Sequence, residues 1–176
     1  MGTLVMKFGG TTVGNVAALT QVLSIVMHEQ QRWDRLIIVA SALDGVTDLL
    51  IEAARLAQVN NQRGYRRIAA TLRMRHLALV EQLPFGANER ASLEADIDRL
   101  LFDMLDRCQS VANNIERETL TADVTDSIVA VGERLAARII AALLRKNDLR
   151  AVALDGTDVI ITDQQFGNAR PIVDST

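Results

Sequence analysis

The chain has 176 residues, 49% of them hydrophobic but only 3% aromatic, and a formal net charge of −3. That length suits one domain with a buried core, since domains commonly run roughly 100 to 200 residues, and a core so poor in rings has to be built from Ala, Leu, Ile and Val packed between helices and strands. The mildly negative charge offers no field for holding a polyanion, which argues against a nucleic-acid partner, and the single cysteine, Cys108, excludes an internal disulfide.

The opening residues, MGTLVMKFGG, lack the basic region, long apolar stretch and cleavage site of a secretory signal, so a cytoplasmic location is expected. Thr3 to Phe8 is a short apolar run ending at Gly9-Gly10, and Arg35 to Ser41 (RLIIVAS) is a second run rich in β-branched residues; both read as buried strands. Between them Val16, Leu19, Leu23 and Val26 recur at helical spacing on one face, and strand, helix, strand in that order implies parallel pairing through a crossover. Within MKFGGTT, Lys7 interrupts the strand just before its turn. Gly9 and Gly10 let backbone N–H groups approach an anion, and the Lys7 ammonium can neutralise phosphoryl oxygens, so the unit makes sense as a phosphate cradle. It is not a Walker A loop, which places its lysine after the glycines, and the dinucleotide Gly-x-Gly-x-x-Gly is absent. The competing reading is a strand-end lysine reaching solvent beside an ordinary turn.

In IIVASALDGVTDLL the second strand ends at Ser41 and a helix begins near Asp44 to Thr47. Ligands of open α/β sheets bind at the carboxyl ends of strands, and helix N-termini offer free N–H groups, so Ser41 and Thr47 are candidates for holding a carboxylate. The alternative is plain capping, with Asp44, Thr47 or Asp48 serving only their own helix. That helix, Val46 to Val59, is followed by two patterned segments, one with Tyr65, Ile68, Leu72 and Leu79 and one with Leu93, Ile97, Leu100, Met104, Val111 and Ile115. Leu83-Pro84-Phe85-Gly86 separates them and Asn88 is the expected cap of the second, giving a helical hairpin at about 62–118. Arg63, Arg66, Arg67, Arg73 and Arg75 lie opposite Glu94, Asp96, Asp98 and Asp103 without interleaved aromatics, which reads as a solvated, charge-paired hairpin rather than a surface for lipid or RNA. His28 and His76 are isolated and Cys108 falls on an apolar stripe, so none is given a catalytic or metal role.

A helix near Asp126 to Lys146 is apolar on almost every side and is expected to be buried. It is no membrane span, because SIVAVGERLAARIIAALL carries Glu133, Arg134 and Arg138. A buried unpaired carboxylate is costly, so Glu133 has to reach a cleft, bind a cation or pair with an arginine, for which Arg134 and Arg138 are at hand. RAVALDG and DVIITD then return to strand character, and the chain closes on turn formers and a strand-like PIV. A parallel sheet stopping there leaves an open edge or bare face, so a truncated unit is expected.

Together, VMKFGGTTVGN, IIVASALDGVTDLL and VGERLAARI, in that order, resemble the aspartate kinases of the amino acid kinase superfamily over essentially the whole chain. Thr12 stands where serine is usual in that family and keeps the hydroxyl. The resemblance implies a three-layer α/β fold, a mostly parallel sheet with helices on both faces, here incomplete, with the hairpin inserted. It implies that Lys7 contacts the transferring phosphoryl group, that Gly9 and Gly10 form its loop, and that Ser41, Thr47 and Glu133 hold L-aspartate, with no metal ligand assigned. ATP and Mg²⁺ are the implied cosubstrate and cofactor of the complete enzyme, and the implied product is 4-phospho-L-aspartate. The tail TDQQFGNARP resembles the stretch leading to the second half of the kinase domain, but the family's Arg-Gly-Gly-Ser-Asp segment, nucleotide-binding half and ACT domains are absent from the sequence. An inactive, self-associating part of a kinase is therefore expected, the alternative being a non-catalytic regulatory or amino-acid-binding module built from the same half-domain.

Overall fold

In a computed structural model describing residues 2–113 and 121–175, β1 (Thr3–Phe8) and β2 (Arg35–Ala40) form a two-stranded parallel sheet, in register from Thr3 opposite Arg35 to Phe8 opposite Ala40. Their connection carries one helical turn, α1 (Gly10–Val13), and then α2 (Val16–Glu29). Extended Asn15 caps α2, its side chain accepting from the Ala18 N–H at 2.9 Å, and Leu19, Val22 and Val26 line the buried face. Along the strands side chains alternate. Met6, Phe8, Leu36, Ile38 and Ala40 pack toward the helical core, whereas Val5, Ile37 and Val39 remain 60%, 45% and 44% exposed on the other face. The parallel α/β unit expected from the sequence is thus present, and open on one side.

Three helices build the bulk of the core. α3 (Val46–Gln58) leaves Gly45, whose φ of +69° lies in the left-handed region that favours glycine, and buries Val46, Leu50, Ala53, Ala54 and Ala57. α4 (Gln62–Gln82) is capped by Asn61, which accepts from the Gly64 N–H at 2.9 Å, and α5 (Ala87–Asn113) follows a short break at Leu83 to Gly86 where Pro84 supplies no N–H. α4 and α5 pack on each other and on α3. Asn88 is not the cap: α5 already begins at Ala87, with the Arg90 N–H bonded to the Gly86 carbonyl at 3.0 Å, so Asn88 lies inside the first turn. Ile115, the hairpin boundary at 118 and Thr176 lie outside the described residues.

The buried helix read as one piece is two, α6 (Ala122–Val129) and α7 (Val131–Lys146), meeting at Ala130. α7 is enclosed by α5, α2, α3 and β2, and its run Ala141 to Leu144 is wholly buried. Beyond it the expected strands do not form ladders among the described residues. Ala151 to Asp155 alternates half-buried and exposed side chains as a strand would, but has no partner strand. DVIITD and the strand-like PIV form only a bridge between Thr162 and Pro171, with the Ile172 N–H on the Ile161 carbonyl at 2.8 Å. Side-chain pattern supplies strand character; a ladder also needs a neighbouring strand.

Candidate functional site

The carboxyl ends of β1 and β2 meet one loop, Ser41 to Gly45, and the sequence candidates gather around it. The Ser41 N–H donates to the Phe8 carbonyl at 3.0 Å, extending the sheet by one bond and fixing where β2 turns away. The Val46 N–H then donates to the Leu43 carbonyl at 2.9 Å, closing a β-turn with Asp44 and Gly45 at its centre. A Cβ on Gly10 would stand 2.7 Å from the Ala42 carbonyl, so the first turn of α1 lies backbone to backbone against this loop and only glycine fits there. A Cβ on Gly9 would meet nothing closer than the Thr12 hydroxyl at 3.7 Å, leaving its side open to an approaching group. Thr12 uses its hydroxyl to close the same turn, donating to the Gly9 carbonyl at 2.8 Å.

α7 reaches the loop from the other side. A Cβ on Gly132 would lie 2.7 Å from Ala42 Cβ and 3.2 Å from Leu50 and Val46 side-chain carbons, so this glycine lets the N-terminal end of α7 touch the loop. The next residue, half-buried Glu133, accepts from the Ala42 N–H at 3.4 Å, a long bond. Arg134 and Arg138 are not its partners. Both turn to Asp155: Arg134 Nε donates at 2.9 Å to Oδ2, and Arg138 Nη1 donates to Oδ1. Burial raises the Asp155 pKa, but the bonds from Arg138 and Arg134 outweigh it and hold the carboxyl below its ordinary value. Glu133 forms no ion pair among the described residues, and neither do the half-buried hydroxyls of Ser41 and Thr47 find a hydrogen-bond partner there. Thr47 sits in the first turn of α3, and since the N-cap is Gly45 with no side-chain cap, neither it nor Asp44 or Asp48 caps the helix.

Lys7 stands one residue before the end of β1, opposite Val39, on the exposed face of the sheet and without a polar partner among the described residues. It is brought to the same end of the sheet as Ser41 and Glu133, but on the face that no described element covers. Among the described residues no three His, Cys, Asp or Glu side chains come together. Gly132 and Asp155 also shape this region and are not candidates from sequence, as do Thr12, noted there only for its hydroxyl, and Arg75, placed there only among the hairpin's charges, whose guanidinium donates to the Asp44 carbonyl at 2.8 Å; of the two unnoticed residues only Gly132, a glycine inside a helical pattern, carries a readable signal. The remaining polar groups lie elsewhere. Arg73 bonds Asp98 at 2.6 Å and Glu94 at 2.5 Å across α4 and α5. Cys108 is buried beside the Ala53 carbonyl, and burial pushes its thiol up to about 11.

No helix among the described residues is long and apolar enough to cross a membrane. The profile of the amino acid kinase family matches residues 2–175. Aspartokinase of Chlamydia muridarum is 31% identical over 168 residues, 96% of this chain and 33% of that protein. Lysine-sensitive aspartokinase 3 of Escherichia coli is 26% identical over 168 residues, 96% of this chain and 34% of that protein, so the chain spans about a third of the length of these relatives. Among solved structures, E. coli aspartokinase III in complex with aspartate and ADP superposes with a TM-score of 0.79 at 24% identity, covering 99% of this chain and 36% of that one. An open parallel unit with an amino acid kinase profile along nearly its whole length places the chain in the amino acid kinase family.

Proposed function

We propose that this chain is the N-terminal, aspartate-binding part of a cytoplasmic aspartate kinase, the complete form of which moves the γ-phosphate of ATP to the side-chain carboxylate of L-aspartate. The observation that carries this reading is the set of unused polar groups around one loop. The Ser41 and Thr47 hydroxyls have no partner in the described residues, and Glu133 has only the long bond from Ala42. A group of half-buried polar side chains not spent on one another at the carboxyl end of a sheet is where an open α/β unit would take a small polar ligand. The similarity to aspartokinases, one of them solved in complex with aspartate and ADP, supports aspartate as that ligand.

Glu133 would receive the substrate ammonium, and Thr47, with the first N–H groups of α3, a carboxylate. Lys7 and the Gly9-Gly10 loop would face the phosphoryl group from the bare side of the sheet. A side-chain carboxylate of pKa about 3.9 is already ionised near neutral pH, so the attacking group needs no general base. Orientation, and relief of repulsion between two anions, is what remains to be supplied. Mg²⁺ when bound neutralises charge on the nucleotide phosphates; this chain's described side chains do not form its cage, and the proposal assigns it no ligand here. With much of the nucleotide surface lying outside the chain, residues 1–176 alone should neither bind MgATP tightly nor turn over.

Titration with L-aspartate followed by amide NMR tests the site directly. Shifts are expected at Ser41 to Thr47 and in the first turn of α7, and Glu133→Gln should abolish them; an unaltered spectrum at tens of millimolar aspartate would sink the reading. In a chain completed with the rest of a kinase domain, aspartyl phosphate trapped as the hydroxamate should fall about 10²-fold or more in Lys7→Ala, with aspartate binding much less affected.

A further inference from the structure

The turn that leads into α3 belongs to a pair of related forms, and one side chain from α4 bonds it in the form observed. Its closing bond runs from the Val46 N–H to the Leu43 carbonyl at 2.9 Å, and Gly45 has φ +69° and ψ 0°, the angles of the third residue of a type II turn. Types I and II differ by a flip of the central peptide, here the one joining Asp44 to Gly45. Glycine at the third position removes the steric barrier that would otherwise favour one form. In the form observed the Asp44 carbonyl points at Arg75, whose Nη2 donates to it at 2.8 Å, and Arg75 Nη1 would lie 3.7 Å from a Cβ built on Gly45. A Cβ on Gly10 would come closest to the Ala42 carbonyl and one on Gly132 closest to Ala42 Cβ, and the Glu133 bond is also to Ala42, so the tightest of these approaches fall at the strand side of the loop. On the helix side, a Cβ on Gly14 would stand 3.1 Å from the Gly10 carbonyl and 3.6 Å from Asp44 Cβ, and among the described residues the hydrogen bond to the central carbonyl comes from Arg75.

We propose that Arg75 is a positioning residue of the aspartate site: by gripping the Asp44 carbonyl it holds the Leu43 to Val46 turn in one form and so fixes the start of α3, where Thr47 sits, relative to Ser41 and Glu133. This deepens the aspartate reading and rests on it. Loss of the grip frees the carbonyl to swing to the opposite side of the loop, presenting an acceptor where the flipped-out Gly45 N–H had been a donor. An anionic ligand then meets a partial negative charge and a mobile Thr47. Arg73 is the built-in control, two residues away on the same helix, because its bonds to Glu94 and Asp98 join α4 to α5 and do not involve the loop.

The test compares Arg75→Ala, Arg75→Lys and Arg73→Ala in the 176-residue chain by amide relaxation dispersion and L-aspartate titration. Arg75→Ala should show exchange broadening at Gly45 and Val46 and bind aspartate roughly three- to tenfold more weakly, the range for one lost hydrogen bond. Arg75→Lys, which keeps one donor, should recover part of both. Arg73→Ala should lower the melting temperature yet leave the turn and the affinity as they are. Sharp turn resonances or unchanged affinity in Arg75→Ala, beside normal binding by the unaltered chain, overturn the role of Arg75 alone. So does an equal loss of affinity in Arg73→Ala. An unaltered chain that takes up no aspartate sinks the substrate reading and this proposal with it.

Discussion

Two glycines near the loop sit in opposite surroundings, one crowded and one open, and alanine separates them. At Gly132 the added methyl would stand 2.7 Å from Ala42 Cβ and 3.2 Å from Leu50 and Val46, atoms of the packed core. Alanine in a helix interior normally gains about 1 kcal/mol over glycine, but overpacking a close contact costs roughly 1–3 kcal/mol. Gly132→Ala should therefore be destabilising, with a lower urea midpoint at unchanged slope, and should weaken aspartate because Ala42 is the residue displaced. Gly9→Ala meets only the Thr12 hydroxyl at 3.7 Å and has an ordinary φ of −75°, so stability should change by less than about 0.5 kcal/mol. A loss of phosphoryl transfer by that variant in a completed kinase would then report on the loop itself. Glu133 was legible as a problem, because a carboxylate in an apolar helix needs a reason. Its suspected partners were not legible as partners of something else: Arg134 and Arg138 are near in sequence, but successive helix positions point about 100° apart, and Asp155 reaches them from a segment whose path only the fold reveals.

Helix α4 carries a titration that should be visible in its stability. His76 is 1% exposed; its Nδ1 donates to the Leu72 carbonyl at 2.7 Å, and Nε2 has no partner among the described residues. Burial pushes its pKa below the ordinary 6.5, the Leu72 carbonyl pulls the other way, and the Arg75 charge lowers it further. The unfolded chain therefore binds this proton at higher pH than the folded one, so stability is full above about pH 6.5 and is lost as pH falls below it. Urea midpoints should drop between pH 7.5 and 5.5 in the unaltered chain and much less in His76→Met; equal slopes in both would remove His76 as the cause. The carboxylates act in a separate window. Bonds from Arg73 hold Asp98 below its ordinary 3.8, so that contribution is present above this value and disappears only as pH falls through the lower folded value. Helices such as α4 were readable because their own periodicity encodes them. Arg150 to Gly156 and Asp158 to Asp163 have strand-like composition, and composition carries no information about whether a neighbouring strand is there to pair with.

At the scale of the molecule, the sheet has a bare face bearing Val5, Ile37 and Val39. Exposed apolar patches favour association, and sedimentation at several concentrations is expected to show a dimer burying on the order of 1,000 Å². Ile37→Thr together with Val39→Thr should shift it toward monomer; a strictly monomeric unaltered chain would contradict this. The pairing of Asp155 with Arg134 and Arg138 bears on a different matter, how short a self-sufficient polypeptide this sequence allows. The side chains of the two arginines are only 25% and 15% exposed, and they stand one helical turn apart. A polypeptide ending at 150 strands both guanidinium groups against each other with no counter-charge, whereas one ending at 158 keeps their carboxylate and discards a stretch that is largely exposed. Chymotrypsin should accordingly cut after Phe166, exposed in the discarded stretch, well before it cuts after Leu154, and the smallest piece that still melts cooperatively should end just past Asp155.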